Sequence, residues 1–156
     1  MVDAPKFRLQ LEKFSKETVP AIVAQLQGRI VAELLTLIVQ ATPVGNHRTW
    51  AANIQRASKG KPPLPIGYVG GHARKNWQIT IGSPATGIIA GIDTTGQQSI
   101  SAGAQVAASI DVPVVAYIAN PLPYMQRLEE GHSKQAPQGM VAQAISVITT
   151  KYAKVQ

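Results

Sequence analysis

Glu129, Glu130, His132 and Ser133 stand almost side by side, with Tyr124 and Lys134 flanking them, in the stretch YIANPLPYMQRLEEGHSKQAPQGMV. Neighbouring carboxylates and an imidazole can tune one another's proton affinity, so these are the chain's best candidates for general acid–base work. Their spacing argues against it. Adjacent glutamates on a strand or helix point in different directions and make no preformed carboxylate pair. Gly131 marks a turn, where a solvated glutamate and a hydrogen-bonded histidine are the common arrangement. Other catalytic templates are missing: there is no GxSxG elbow, no HExxH, no phosphate-binding loop and no GxGxxG before a helix. His47, His72 and His132 lie far apart without carboxylates at metal-ligand spacing. The absence of cysteine excludes disulfides, thiolate zinc sites and cysteine nucleophiles. The expectation is a protein that is not an enzyme, with no metal, no cofactor and no small-molecule substrate.

The second chemical signal is charge. The net charge is +7, and its placement matters more than its size. Residues 1–41 hold five basic and four acidic side chains, and residues 78–156 hold four of each. Residues 42–77 hold six basic side chains (Arg48, Arg56, Lys59, Lys61, Arg74 and Lys75) and no acid. Such a block favours phosphates or acidic protein surfaces as neighbours; the alternative is a solvated loop. Trp50, Tyr68 and Trp77 lie in the same segment, yet aromatic content is only 5% and no helix-turn-helix, aromatic strand motif or zinc finger is present. That leaves non-specific contact with a nucleic-acid backbone rather than base reading.

The elements that must position these residues follow from periodicity. At 156 residues the chain is one domain. Only 15% of it is charged, against the quarter or so that is usual, as expected when much of the surface meets protein. From about Glu17 to Gln40, apolar residues recur at helical spacing. Pro20 suits only a first turn, so the helix is expected to begin near it, capped by Thr18 or Ser15. ATPVG at 41–45 ends it. A short helix is expected from Thr49 to Ala57, then an irregular KGKPPLPIGYVGG loop. NWQITIG alternates as a strand, with Trp77, Ile79 and Ile81 on one face. TGIIAGI reads as a second strand, Gln97–Ser109 as a helix, VPVVAYIAN as a central strand, and Pro137–Val155 as a closing helix with Pro137 in its first turn. The N-terminus has no signal-peptide core, and the most apolar run, Ile30–Val39, is interrupted by Glu33 and too short to cross a bilayer. A soluble, intracellular protein without a membrane partner is expected.

Two stretches carry a resemblance. One is TPVG at 42–45, continued after an insertion of about 46–66 by GYVGGHARKNWQITIG at 67–82; the other is the 117–141 stretch quoted above. Together they resemble the neck and minor-tail proteins of long-tailed bacteriophages, the head–tail joining or tail completion proteins. The matching residues are Thr42, Pro43, Val44, Gly70, Gly71, Arg74, Asn76 and Trp77, then Asn120, Pro123, Tyr124, Leu128, Glu129, Gly131, His132 and Ser133. Gly70 stands where many members place threonine, and the insertion holds most of the basic excess.

The resemblance implies an α+β fold, a long N-terminal helix packed on a small, mostly antiparallel sheet, with a short middle helix and a C-terminal helix. It implies a structural virion protein, assembled in the host cytoplasm as a homo-oligomeric ring, usually six-fold, at the head–tail junction. Its partners would be further copies of itself, the adjacent head-connector and tail proteins, and DNA sliding through the channel, which Arg48, Arg56, Lys59, Lys61, Arg74 and Lys75 would line. The physical reading of the second motif agrees: Pro121 and Pro123 hold the strand exit extended. Tyr124 and Leu128 share one face of a helical turn that would bury against the sheet. Gly131 supplies a positive φ, and Glu129 and His132 bond nearby backbone or a neighbour. A non-specific nucleic-acid-binding protein using residues 42–77 is the alternative.

Overall fold

The computed structural model describes residues 4–153. The fold is α+β: a long N-terminal helix, a two-stranded antiparallel sheet and further helices, including one at the C-terminus. In chain order the elements are α1 (Ala4–Lys13), a π-helical turn (Phe14–Thr18), α2 (Val19–Ala41), a 3-10 turn (His47–Thr49), α3 (Ala51–Ala57), α4 (His72–Lys75), β1 (Gln78–Ile81), α5 (Gln97–Ala108), β2 (Ala116–Ala119), α6 (Met125–Glu129) and α7 (Val141–Tyr152).

The N-terminal helix does not start at Pro20. It runs without a break from Ala4 to Ala41, Thr18 is itself helical and makes no capping bond, and Ser15 Oγ donates to Glu12 O within the helix. Pro20 has no N–H to give the carbonyl four residues earlier. The chain absorbs the loss as one wide π turn, in which Val19 N–H donates to Phe14 O. By length and composition this helix could cross a membrane, and 28% of its most apolar window is buried.

Residues of α2, α5, β1, the 122–125 turn and α7 make the core, with Leu35, Ile38, Val39, Trp77, Ile79, Leu122, Met125 and Met140 buried together. Burying each such large apolar side chain is worth about 1.5–3 kcal/mol relative to leaving it in water. The contact of α2 with α5 is close because both helices present glycine. A Cβ on Gly28 would sit 2.6 Å from Ala107 O, and one on Gly103 would sit 2.1 Å from Leu35 Cδ2. On the other side Glu33 of α2 pairs with Lys151 of α7 and accepts from Tyr152 Oη at 3.0 Å.

The sheet is smaller than the pattern of apolar runs suggests. β1 and β2 pair from Gln78↔Ala119 to Ile81↔Ala116. Trp77 and Ile79 are buried, while Ile81 at the end of the ladder is exposed. TGIIAGI forms no strand, because side chains occupy its backbone: Asn76 bonds Ile89 N and O at 2.7 and 3.1 Å, and Gln78 Nε2 donates to Gly87 O at 2.9 Å. Only the last part of VPVVAYIAN pairs, and no strand is central in a two-stranded sheet. Pro113 has no N–H, and both backbone groups of Val114 are taken by the Gln27 side chain. At the C-terminus Pro137 precedes the helix, which begins at Val141 and is described to Tyr152; the expected end at Val155 lies outside the described residues.

Candidate interaction cleft

The two stretches that carry the resemblance meet around one cleft of about 700 Å³. Pro43, Gly45 and Gly71 line it from the first stretch, and Tyr124, Leu128, His132 and Ser133 from the second. Tyr68 of the first stretch adds to that wall, and the insertion supplies the rest through Trp50 and Ile54.

Each wall has a local cause. The first stretch is closed across the insertion by buried polar bonds: Trp77 Nε1 donates to Thr42 Oγ1 at 2.8 Å, and Thr42 Oγ1 donates to Ile38 O at 2.7 Å. Gly70 fits because the chain passes there against Gly45: an added Cβ would lie 2.2 Å from Gly45 O. The Gln135 side chain then pairs like a strand with Val44, accepting from its N–H and donating to its carbonyl at 3.3 and 3.1 Å. Asn120 Nδ2 donates to Ala73 O at 2.8 Å and ties the exit of β2 to α4.

Glu129 anchors the second stretch. Its carboxylate accepts backbone N–H groups from Met140 and Val141 at 2.8 and 3.0 Å and from Ala142 at 3.0 Å, the orphan donors of α7. Burial by itself would raise its pKa, but the three N–H donors outweigh it and hold the carboxyl below its ordinary range. The carboxylate is thus committed to a helix cap, while Glu130 is exposed and accepts from Gln126. Gly131 has φ +82°, as the turn requires. His132 is exposed with Nδ1 3.0 Å from Arg127 O, and Pro123 is exposed beside the turn. Tyr124 and Leu128 share the cleft face; Leu128 also packs against the core, whereas Tyr124 is 40% exposed. Leu122 and Met125, on either side of Tyr124, are the buried residues of this turn.

The insertion contains the 3-10 turn and α3, the short helix expected over Thr49–Ala57, and the loop after it is pinned as well. The buried Asn53 pins it by donating to His47 O and Leu64 O, both at 2.7 Å, and accepting from Leu64 N at 2.9 Å. His47, Trp50 and Tyr68 form an aromatic cluster, with Trp50 and Tyr68 centroids 5.3 Å apart. Trp50 lines the cleft and is 44% exposed.

The basic residues divide. Arg74 donates to the carbonyls of Thr42, Thr94 and Gln40 at 2.8, 2.7 and 3.1 Å, which fastens it to the C-terminus of α2. Lys75 donates to Gln98 Oε1, and Arg56 Nε to Pro62 O at 2.9 Å. Arg48, Lys59 and Lys61 are exposed, so they remain the accessible part of the expected contact set.

Other residues escaped the sequence reading: Asn53, Gln135, Gln27 and Asp93. Asp93 accepts from Gly96 N at 2.8 Å and Ser99 N at 3.0 Å at the start of α5; burial opposes its charge, yet these bonds hold its pKa low. Only Asp93 left a signal, an acid four residues ahead of the helix-forming run that starts at Gln97. Among the described residues no group of three or more His, Cys, Asp or Glu could hold a metal ion. Comparison with protein-family models, with curated proteins and with solved structures finds no match to this chain.

Proposed function

We propose that the chain is a structural virion protein of a tailed bacteriophage, a subunit of a homo-oligomeric ring, six-fold by the resemblance, at the head–tail junction. One observation carries the reading: the two separate stretches that resemble neck proteins are joined to one another, through Gln135–Val44 and Asn120–Ala73, and line a single cleft. Residues that act in concert in a binding surface need such convergence. The cleft suits a protein partner, because its walls are aromatic and aliphatic with polar edges and the carboxylate nearest to chemistry is spent on a helix cap. The ring would bind neighbouring connector and tail proteins and let DNA pass, with Arg48, Lys59 and Lys61 giving the weak, distributed charge that sliding requires.

The test is electron microscopy of lysates from a phage carrying an early stop codon in this gene. Full heads beside free, unjoined tails are expected. Normal joined particles would overturn the reading. A second reading, a non-specific nucleic-acid-binding protein, rests on the same exposed cations and the acid-free 42–77 segment. It requires the isolated protein to bind duplex DNA at micromolar concentration with a steep salt dependence, whereas a ring subunit would bind little before assembly.

A further inference from the structure

Three polar tips in the cleft have no partner among the described residues. Trp50, Tyr68 and Tyr124 all line it, and neither the indole N–H of Trp50 nor the hydroxyls of Tyr68 and Tyr124 make a hydrogen bond. Trp50 and Tyr124 are exposed. The Tyr68 hydroxyl is open as well, because no buried side-chain polar atom among the described residues lacks a partner. Burial and the neighbouring Tyr68 push the Tyr124 hydroxyl above its ordinary pKa, so it stays a donor. An indole N–H can only donate, and these tips therefore favour an occupant rich in acceptors.

The charge of the cleft has the same sense. Lys134 lines it with His72 and His132, and no aspartate or glutamate does. Arg48 is exposed on the turn that carries Asn46 and Thr49 into the wall. Of the two carboxylates ahead of Lys134 in the sequence, Glu129 is spent on the cap of α7 and Glu130 accepts from Gln126. Pro43, Ile54 and Leu128 make the surface between these groups apolar. The volume of about 700 Å³ falls in the range of ligand pockets, about 300–1,000 Å³. It takes a few residues of extended chain rather than a folded surface.

We propose that the cleft binds an extended acidic segment of a partner protein, with a proline or aliphatic side chain against Trp50 and Tyr124 and a neighbouring carboxylate on Lys134. The inference rests on the virion reading above and names the chemistry of the partner segment that the cleft receives. Aromatic walls with free polar tips hold extended, proline-containing segments, and an acid-free cationic edge selects those that carry carboxylates. A nucleic-acid strand is the competing anion, and it fits less well. Trp50 and Tyr68 pack on one another at 58° and offer no pair of parallel rings to bases. Each nucleotide also brings a phosphate, whereas one lysine lines the cleft.

The test is to pan random dodecapeptides by ribosome display against the full chain and to titrate the winners in solution. A consensus that pairs aspartate or glutamate with proline or an aliphatic residue is expected. Binding should fall about tenfold or more in Trp50→Ala and in Lys134→Glu, with the melting temperature of Lys134→Glu unchanged. Peptides with lysine in place of the acid should regain affinity for Lys134→Glu, a rescue that structural damage would not allow. Winners without an acid, winners indifferent to both substitutions, or no winner at all would overturn the proposal. Oligothymidine that depends on Trp50 and Lys134 where no peptide does would overturn it and assign the cleft to single-stranded nucleic acid. Acidic winners that depend on the cleft, beside normally joined particles from the stop-codon phage, would uphold the site and overturn the virion reading. Free tails from that phage with no acidic consensus would do the reverse.

Discussion

The indole N–H of Trp77 donates to the hydroxyl of Thr42 at 2.8 Å, and that hydroxyl donates in turn to Ile38 O. Thr42 is wholly buried and Trp77 nearly so. This chain of two bonds closes the gap that the insertion opens, and it holds the end of α2 against the start of β1. Replacing Thr42 by Val keeps the shape and leaves a buried indole N–H unpaired, at a cost of about 1–3 kcal/mol. Denaturant unfolding should show a lower midpoint with an unchanged slope. A midpoint equal to wild type would mean that the bond contributes nothing.

Glu129 should make stability depend on pH. Its folded pKa lies below the ordinary carboxylate value, where burial is outweighed by the N–H groups of Val141, Met140 and Ala142. A depressed pKa contributes stability that is complete above the unfolded value, about 4.3, and is lost as pH falls through that value toward the folded one. Glu129→Gln should therefore destabilise by about 1–2 kcal/mol at neutral pH. The gap to wild type should narrow below about pH 4. Thermal melts across that range check both signs, and a gap that widens in acid would contradict the cap.

The six basic residues of the 42–77 segment should separate into two behaviours. Arg74→Gln loses charge-assisted bonds to carbonyls at 2.7–3.1 Å and should lower stability by about 1.5–3 kcal/mol. Substituting Arg48, Lys59 and Lys61 by Ser or Gln should leave the melting temperature within about 2 °C, since exposed surface changes seldom exceed about 0.5 kcal/mol. On the ring reading the same triple variant should fail in head–tail joining or DNA passage. Unchanged phage titre with that triple variant would remove the channel role of these cations.

Much of this protein follows from its sequence. The helical spacing of apolar residues from Glu17 to Gln40, the alternation around Ile79, the small-residue run that becomes α5, and Gly131 at a positive φ are local properties, set by period and backbone sterics. So is the failure of Glu129 and Glu130 to form a carboxylate pair. Tertiary structure decided the rest, wherever a backbone group could be satisfied from a distance. TGIIAGI has the composition of a strand, yet Asn76 and Gln78 take its hydrogen bonds. Val114 lies in a strand-like run, yet Gln27, far away in sequence, takes its N–H and carbonyl. Pro20 reads as a helix start, and the chain accommodated it with a wider turn. Which of six cations are free, and that two remote motifs share a cleft, depends on contacts between distant residues. Local periodicity carries no record of those contacts, because any polar side chain within reach can stand in for a neighbouring strand.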